Sequence, residues 1–139
     1  IDRQPAHLVD LSATLLELGE GRYPESWKGK PILPLAGTSL KPVLENMTLP
    51  ERPLFFEHEG NRAVRLGTWT GVWTTYPKAW ELYNIEVDRS ELNDLSAANP
   101  ERVRQMGALW HDWAADNFVE PSKVEQPASG MPKIYYFPE

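Results

Sequence analysis

The stretch Leu54-Phe55-Phe56-Glu57-His58-Glu59-Gly60-Asn61-Arg62-Ala63-Val64-Arg65-Leu66-Gly67-Thr68-Trp69-Thr70-Gly71-Val72 decides the fold. Phe55 and Phe56 begin a first strand, Gly60-Asn61 marks a turn, residues 62–66 form a second strand and residues 69–73 a third. Tyr76-Pro77-Lys78 supplies another turn, and Trp80-Glu81-Leu82-Tyr83 a fourth strand. The alternation of apolar and polar residues predicts an antiparallel sheet with one wet face. Downstream, Asn99-Pro100-Glu101 reads as a helix start: Asn at the cap, Pro at the first helical position, an acid in the first turn. Val103, Met106, Trp110 and Trp113 then recur at helical spacing, which lays that face on the sheet and ends the helix near Asn117. The fold class is therefore α+β: a small antiparallel sheet of about four strands covered by a C-terminal helix.

Upstream, Leu8, Leu11, Leu15 and Leu18 are spaced for a helix over residues 5–18, stopped by Gly19. Val9 and Leu16 extend its apolar surface beyond a single stripe, so it wants cover on more than one side. Residues 19–34 read as loop. Gly37-Thr38-Ser39-Leu40 offers a hydroxyl cap for a short helix through Leu44, with Pro42 in its first turn. Residues 46–53 carry two prolines and form a linker, so the chain divides into residues 1–48, residues 49–118 and a Pro-rich tail over 119–139. The tail closes on Ile134-Tyr135-Tyr136-Phe137, which is too aromatic to remain undocked in water. Residues 84–98 are polar and irregular.

Composition narrows the function. The net charge of −6 and the lack of a basic stripe argue against nucleic acid. No apolar run approaches a membrane span, and the first residues show no signal-peptide pattern. Without cysteine there is no disulfide, thiolate zinc site or cysteine nucleophile. Six tryptophans and thirteen prolines point to a loop-rich domain pinned by aromatic anchors.

The densest polar cluster is at the first turn. Glu57, His58 and Glu59 have the residue types of an acid–base group, and the plain alternative is that strand alternation leaves them on a solvated face. His58-Glu59 opens like a zincin motif, but no histidine follows four residues on, so no metal site is expected. Arg62 and Arg65 with Asn61 could receive an oxyanion, or could pair with the nearby glutamates. His7 with Asp10 and His111 with Asp112 read as helix-surface pairs, and the Trp110/Trp113 face as core rather than a sugar platform. Ser12, Ser39 and Ser96 lack a nucleophile-elbow context.

The order of these pieces carries a resemblance. His7-Leu8-Val9-Asp10-Leu11-Ser12-Ala13-Thr14-Leu15-Leu16-Glu17-Leu18 is similar to the late helix of the sulfatase catalytic domain, written His-X-X-Asp-X-X-Pro-Thr. Gly37-Thr38-Ser39-Leu40-Lys41-Pro42-Val43-Leu44 resembles the segment after it. Residues 54–69 are similar to the arylsulfatase C-terminal strands. Trp80-Glu81-Leu82-Tyr83-Asn84, Asp88, Glu91-Leu92-Asn93-Asp94-Leu95 and Asn99-Pro100-Glu101 resemble that family's closing strand, loop and helix. The chain thus resembles, over residues 6–118, the C-terminal part of an arylsulfatase-type enzyme of the alkaline-phosphatase-like superfamily. Ser12 stands where the family commonly has Met, Ala13 where it has Pro, and Thr70-Gly71 where it has Lys-Leu, a change expected to weaken the third strand and its packing.

The resemblance implies a sulfate-ester hydrolase in which a formylglycine hydrate attacks sulfur beside calcium. The Cys/Ser-X-Pro-X-Arg motif and the calcium-binding aspartates of the family do not occur here. The chain is accordingly expected to hold no catalytic residue and no metal, and to bind no cofactor by itself; calcium and formylglycine belong to the full-length family enzyme. Its implied partners are the catalytic domain of the parent sulfatase, on which residues 6–18 pack, and the sulfate ester substrate. Residues 6–18 could also mediate self-association. His58, Asn61 and Arg62 are the residues expected at the substrate-pocket rim. An exported or periplasmic location accords with the family. A stand-alone binding module derived from the same subdomain, and a phosphonate or phosphate ester hydrolase of the superfamily, are the competing readings.

Overall fold

The structure, a computed structural model, describes residues 2–119. The reading of the aromatic close at residues 134–137 lies outside them. The chain divides into two compact units, one up to Glu51 and one from Arg52 on.

The first unit holds α1 (Asp10–Leu18), β1 (Ser26–Trp27), β2 (Lys30–Pro31) and α2 (Lys41–Leu44). α1 begins later than its leucine spacing suggests. The Asp10 carboxylate accepts the His7 N–H at 2.7 Å while the Asp10 N–H bonds the His7 carbonyl at 3.0 Å, closing a turn ahead of the helix. Gly19 ends α1 as expected, its N–H returning to the Leu15 carbonyl. The segment read as loop contains a small hairpin. Lys28 (φ 50°) and Gly29 (φ 76°) are both left-handed, the conformation a two-residue turn between antiparallel strands requires. α2 is capped by Leu40 rather than a hydroxyl, and Ser39 Oγ instead accepts the Lys41 N–H at 3.2 Å.

The second unit is an antiparallel meander, β3 (Leu54–His58), β4 (Asn61–Leu66), β5 (Trp69–Trp73) and β6 (Trp80–Asn84), followed by α3 (Pro100–Asp116). This is the expected α+β architecture. The first turn, expected at Gly60-Asn61, falls one residue earlier, at Glu59-Gly60. Both have positive φ, 54° and 80°, so they make the turn, and Asn61 is left to pair with His58 across the strands. α3 starts with Pro100 at its first position and stops at Asn117, as read from the sequence, but Asn99 does not cap through its side chain; its Nδ2 donates to the Leu95 carbonyl.

Register assigns every strand residue to a face. Phe55, Val64, Gly71 and Leu82 form one cross-strand row; Glu57, Arg62, Trp73 and Trp80 form the next. This is the face α3 covers. Val64, Leu82 and Met106 are fully buried, with Trp110 and Ala114 beside them. Trp113 stacks on Phe55 at 5.1 Å, and Arg102 lies over Trp69 at 4.8 Å. Thr70-Gly71 pairs in register on both sides of β5. The absent side chain of Gly71 leaves room for α3, because a Cβ there would lie 3.2 Å from Met106 Cβ, a few tenths of an ångström inside ordinary contact. Gly107 does the same for Trp80, with 3.3 Å to its Nε1.

The opposite face is not uniformly wet, because Leu54 and Tyr83 are buried on it. Burial pushes the Tyr83 hydroxyl up to about 12, and its hydrogen bond to Glu81 Oε2 at 2.8 Å adds to the shift. The neutral phenol is thus favoured by folding. Its contribution is intact below the ordinary tyrosine range near pH ~10 and is lost as pH rises through about 12. Tyr83 should give a late phase in an absorbance titration, and Tyr83→Phe should remove it. An unchanged late phase in Tyr83→Phe would refute the assignment.

The loop after β6 is ordered by carboxylates. Asp88 accepts the Leu92 and Asn93 N–H groups, which hold it below the usual carboxylate range. For Asp94, burial acts to raise the carboxyl, but the Leu82 N–H and the Ser96 N–H and hydroxyl outweigh it and keep it low. Leu82 N–H at 3.0 Å ties this loop to the centre of β6.

Candidate functional site

Two of the polar side chains at the β3–β4 turn, Glu57 and Asn61, are engaged in building it. Glu57 Oε1 accepts the Gly60 N–H at 2.8 Å. Asn61 Nδ2 donates to the His58 carbonyl at 3.2 Å, and its Oδ1 accepts the Thr75 N–H at 3.0 Å, which joins the hairpin end to the β5–β6 loop. Arg65 Nε bonds the Gly67 carbonyl. Turn geometry therefore accounts for Glu57 and gives Asn61 two partners.

Arg62 is on the helix-covered face. Its guanidinium lies over Trp73 at 4.4 Å and Trp110 at 4.8 Å. Burial lowers its pKa, partly offset by the Glu57 carboxylate, and an arginine remains charged throughout. His58 projects from the other face with its side chain 85% exposed, 3.6 Å from Glu59 Oε2. The three residues expected at a rim are neighbours at one end of the sheet, with His58 and Asn61 on one face and Arg62 on the other. Glu57 and His58 are likewise on opposite faces, so Glu57, His58 and Glu59 do not converge as one acid–base group. Trp73 was not singled out as a partner of Arg62. The signal was present, because Arg62 and Trp73 are opposed in the β4–β5 register, but it requires the pairing to be known.

A second polar cluster lies in the first unit. Asp10 is fully buried rather than part of a surface pair. Its Oδ1 accepts the Thr38 N–H at 2.9 Å and its Oδ2 the His7 N–H at 2.7 Å. One turn on, Thr14 Oγ1 donates to the Asp10 carbonyl at 2.7 Å and accepts the Leu40 N–H at 2.8 Å. A methyl group on Gly37 would overlap the Val9 carbonyl, so only glycine permits this approach. The Asp and Thr of the His-X-X-Asp helix are thus a lock that fixes α1 to the segment before α2. Leu8, ahead of α1, and Leu11, Leu15 and Leu18 within it point elsewhere, being 77%, 50%, 70% and 50% exposed.

Among the described residues there is no group of three or more His, Cys, Asp or Glu side chains that could hold a metal ion. No described helix is long and apolar enough to cross a membrane.

No protein-family model matches the chain. It is 26% identical over 125 residues to an uncharacterized sulfatase of Schizosaccharomyces pombe, covering 81% of this chain and 22% of that protein. Among solved structures it is similar to Ps i-CgsB, with a TM-score of 0.65 and 22% identity over 91% of this chain and 27% of the other. A protein from Bacteroides thetaiotaomicron assigned as a sulfatase gives a TM-score of 0.66 and 21% identity over 90% of this chain and 29% of the other. A 2-O GAG sulfatase gives 0.58 and 23% over 78% and 24%. The chain therefore spans less than a third of the length of each of these proteins. The likeness to the Schizosaccharomyces pombe protein is one of sequence, and the likeness to the solved structures is one of fold.

Proposed function

We propose that this chain, which resembles the C-terminal region of sulfatases, is the closing part of a sulfuric ester hydrolase of arylsulfatase type. It contributes the packing subdomain and the pocket rim. The nucleophile and the calcium ligands belong to a preceding catalytic domain of the same enzyme. One observation carries the reading: a sulfatase aligns with 81% of the chain, although the chain amounts to only 22% of that sulfatase. Within this proposal His58 is the rim residue best suited to meet substrate, since its imidazole is exposed, while Asn61 sets the hairpin end and Arg62 stiffens it through the two tryptophans.

The chain has no formylglycine motif. Incubated with an aryl sulfate and calcium, it should give no turnover above a heat-killed control; turnover above that control would defeat this assignment. The coding sequence upstream separates the proposal from a stand-alone module, because a Cys/Ser-X-Pro-X-Arg motif is required there.

The exposed leucines of α1 form the surface proposed to meet the catalytic domain. Burying one such side chain contributes roughly 1.5–3 kcal/mol, so several left in water mark a contact face. Without the catalytic domain we expect copies of the chain to pair through residues 6–18. Sedimentation with and without residues 1–48 tests this. A monomer in both cases, with α1 resistant to protease, would show that the helix folds back instead.

A further inference from the structure

We infer that residues 133–137, Lys-Ile-Tyr-Tyr-Phe, add to the sheet as a fifth strand along the edge of β3. The two edges of the meander differ. His58 and Asn61 flank a two-residue turn, where opposed residues exchange both hydrogen bonds. Leu54, Phe56 and His58 therefore direct their backbone groups to β4, and Phe55 and Glu57 direct theirs outward. The same alternation, carried through β4 and β5, turns Leu82 outward on β6. There the edge is closed: Leu82 N–H donates to Asp94 Oδ1 at 3.0 Å, and its carbonyl accepts the Leu95 N–H at 2.8 Å. At β3 no described group bonds the outward N–H and C=O of Phe55 or Glu57. Natural edge strands are blunted by lysine, proline or a bulge. β3 has none of these within it, its register is unbroken, and Phe56 is 44% exposed.

The chain is delivered to this edge. α3 crosses the sheet toward β3: Arg102 lies over Trp69 of β5, Gly107 faces Trp80 of β6, Trp110 bonds the Phe56 carbonyl and Trp113 stacks on Phe55. Val119 then packs on the same core cluster as Phe55 and Trp113, so the chain leaves the helix beside β3. Thirteen residues, 120–132, lead from there to Lys133. A coil of that length spans on the order of 20 Å, comparable with the roughly 17 Å of a five-residue strand. Pro132 and Pro138 bracket residues 133–137, and proline is confined to strand ends, so the uninterrupted segment has the five-residue length of β3. Ile134, Tyr135, Tyr136 and Phe137 are all strong strand formers. They are apolar or aromatic at successive positions, the pattern of a strand with cover on both faces. β3 offers such cover, with Phe55 and Trp113 on the helix side and Phe56 on the other. A tethered segment acts at an effective concentration on the order of millimolar, which a second copy does not reach in dilute solution.

The test is amide hydrogen exchange, with nuclear Overhauser contacts, in the full chain. The Phe55 and Glu57 amides should exchange about as slowly as that of Phe56 and should show contacts to residues 133–137. Proline is tolerated on an edge strand only where its missing N–H faces solvent, and two adjacent residues cannot both face that way. At least one of Tyr135→Pro and Tyr136→Pro should therefore speed exchange at Phe55 and Glu57 by about tenfold, the effect of losing one or two hydrogen bonds, and leave Val64 unchanged. Ser129→Pro, in the connecting stretch, should alter neither. Fast exchange at Phe55 and Glu57 in the parent chain, or no contact between them and residues 133–137, would overturn the inference. Protection that survives both tyrosine variants would overturn it too, and its growth with protein concentration would assign the edge to a second copy. Equal loss of protection at Val64 would mean that the segment acts on the whole unit and not on this edge. Neither readout involves turnover, so the sulfatase reading stands or falls separately, on the upstream motif.

Discussion

Trp110→Ala is expected to destabilise the second unit by ~3–5 kcal/mol, the range for a large aromatic truncated in a core. Trp110 is 4% exposed and sits among Val64, Leu82, Met106 and Ala114. Its Nε1 donates to the Phe56 carbonyl at 2.9 Å, joining α3 to an edge strand 54 residues earlier in the chain. Its ring also carries one side of the Arg62 stack and meets Trp113 edge-on at 6.0 Å. The substitution therefore opens a cavity, removes a hydrogen bond and leaves a half-buried guanidinium with one ring instead of two. Trp110→Phe retains most of the volume and loses the N–H, and should cost only about 1–2 kcal/mol. Chemical denaturation measures both. A loss below about 1 kcal/mol for the alanine variant would mean that Trp110 does not hold the core.

Asp10→Ala should be the costliest substitution in the first unit, on the order of 3 kcal/mol, because it withdraws a charged acceptor from two backbone N–H groups. Both bonds are short, 2.7 Å to His7 and 2.9 Å to Thr38, around a fully buried carboxylate. Gly37→Ala should produce the same local failure by another route, forcing residues 37–38 away from the start of α1. The readout is amide hydrogen exchange at Thr38 and Leu40. Asp10→Ala should speed exchange at Thr38, and Gly37→Ala at both. Thr14→Val should expose Leu40 selectively, because Thr14 Oγ1 is the acceptor for that amide. Unchanged protection at Thr38 in Asp10→Ala would show that the lock is incidental to the unit.

The rim assignment shows how far residue types reach. Reading Glu57 to Arg62 as a polar cluster locates the hairpin end, yet types alone do not say which side chains the turn consumes. Glu57 and Asn61 look as available as His58 until the Gly60 and Thr75 amides are placed against them. Arg62 looks like an anion receptor until the rings of Trp73 and Trp110 are found against it.

The sequence by itself determined the strands of the second unit, β3 to β6, the helix α3 and their order. Period-two alternation, the glycine turns and the Asn-Pro-Glu start are local signals, read within a few residues, and local sterics enforce them. It also determined that α1 carries more leucine than one face can bury. What only the tertiary structure decided are the contacts made across long separations. Asp10 is buried because Thr38 arrives beside it, Gly71 is closely covered because Met106 arrives above it, and Arg62 is stacked because α3 returns Trp110 to the sheet. In each case the residue's own neighbours in sequence are silent. The partner is selected by strand register and helix placement, and those are settled only when the whole unit closes around its core.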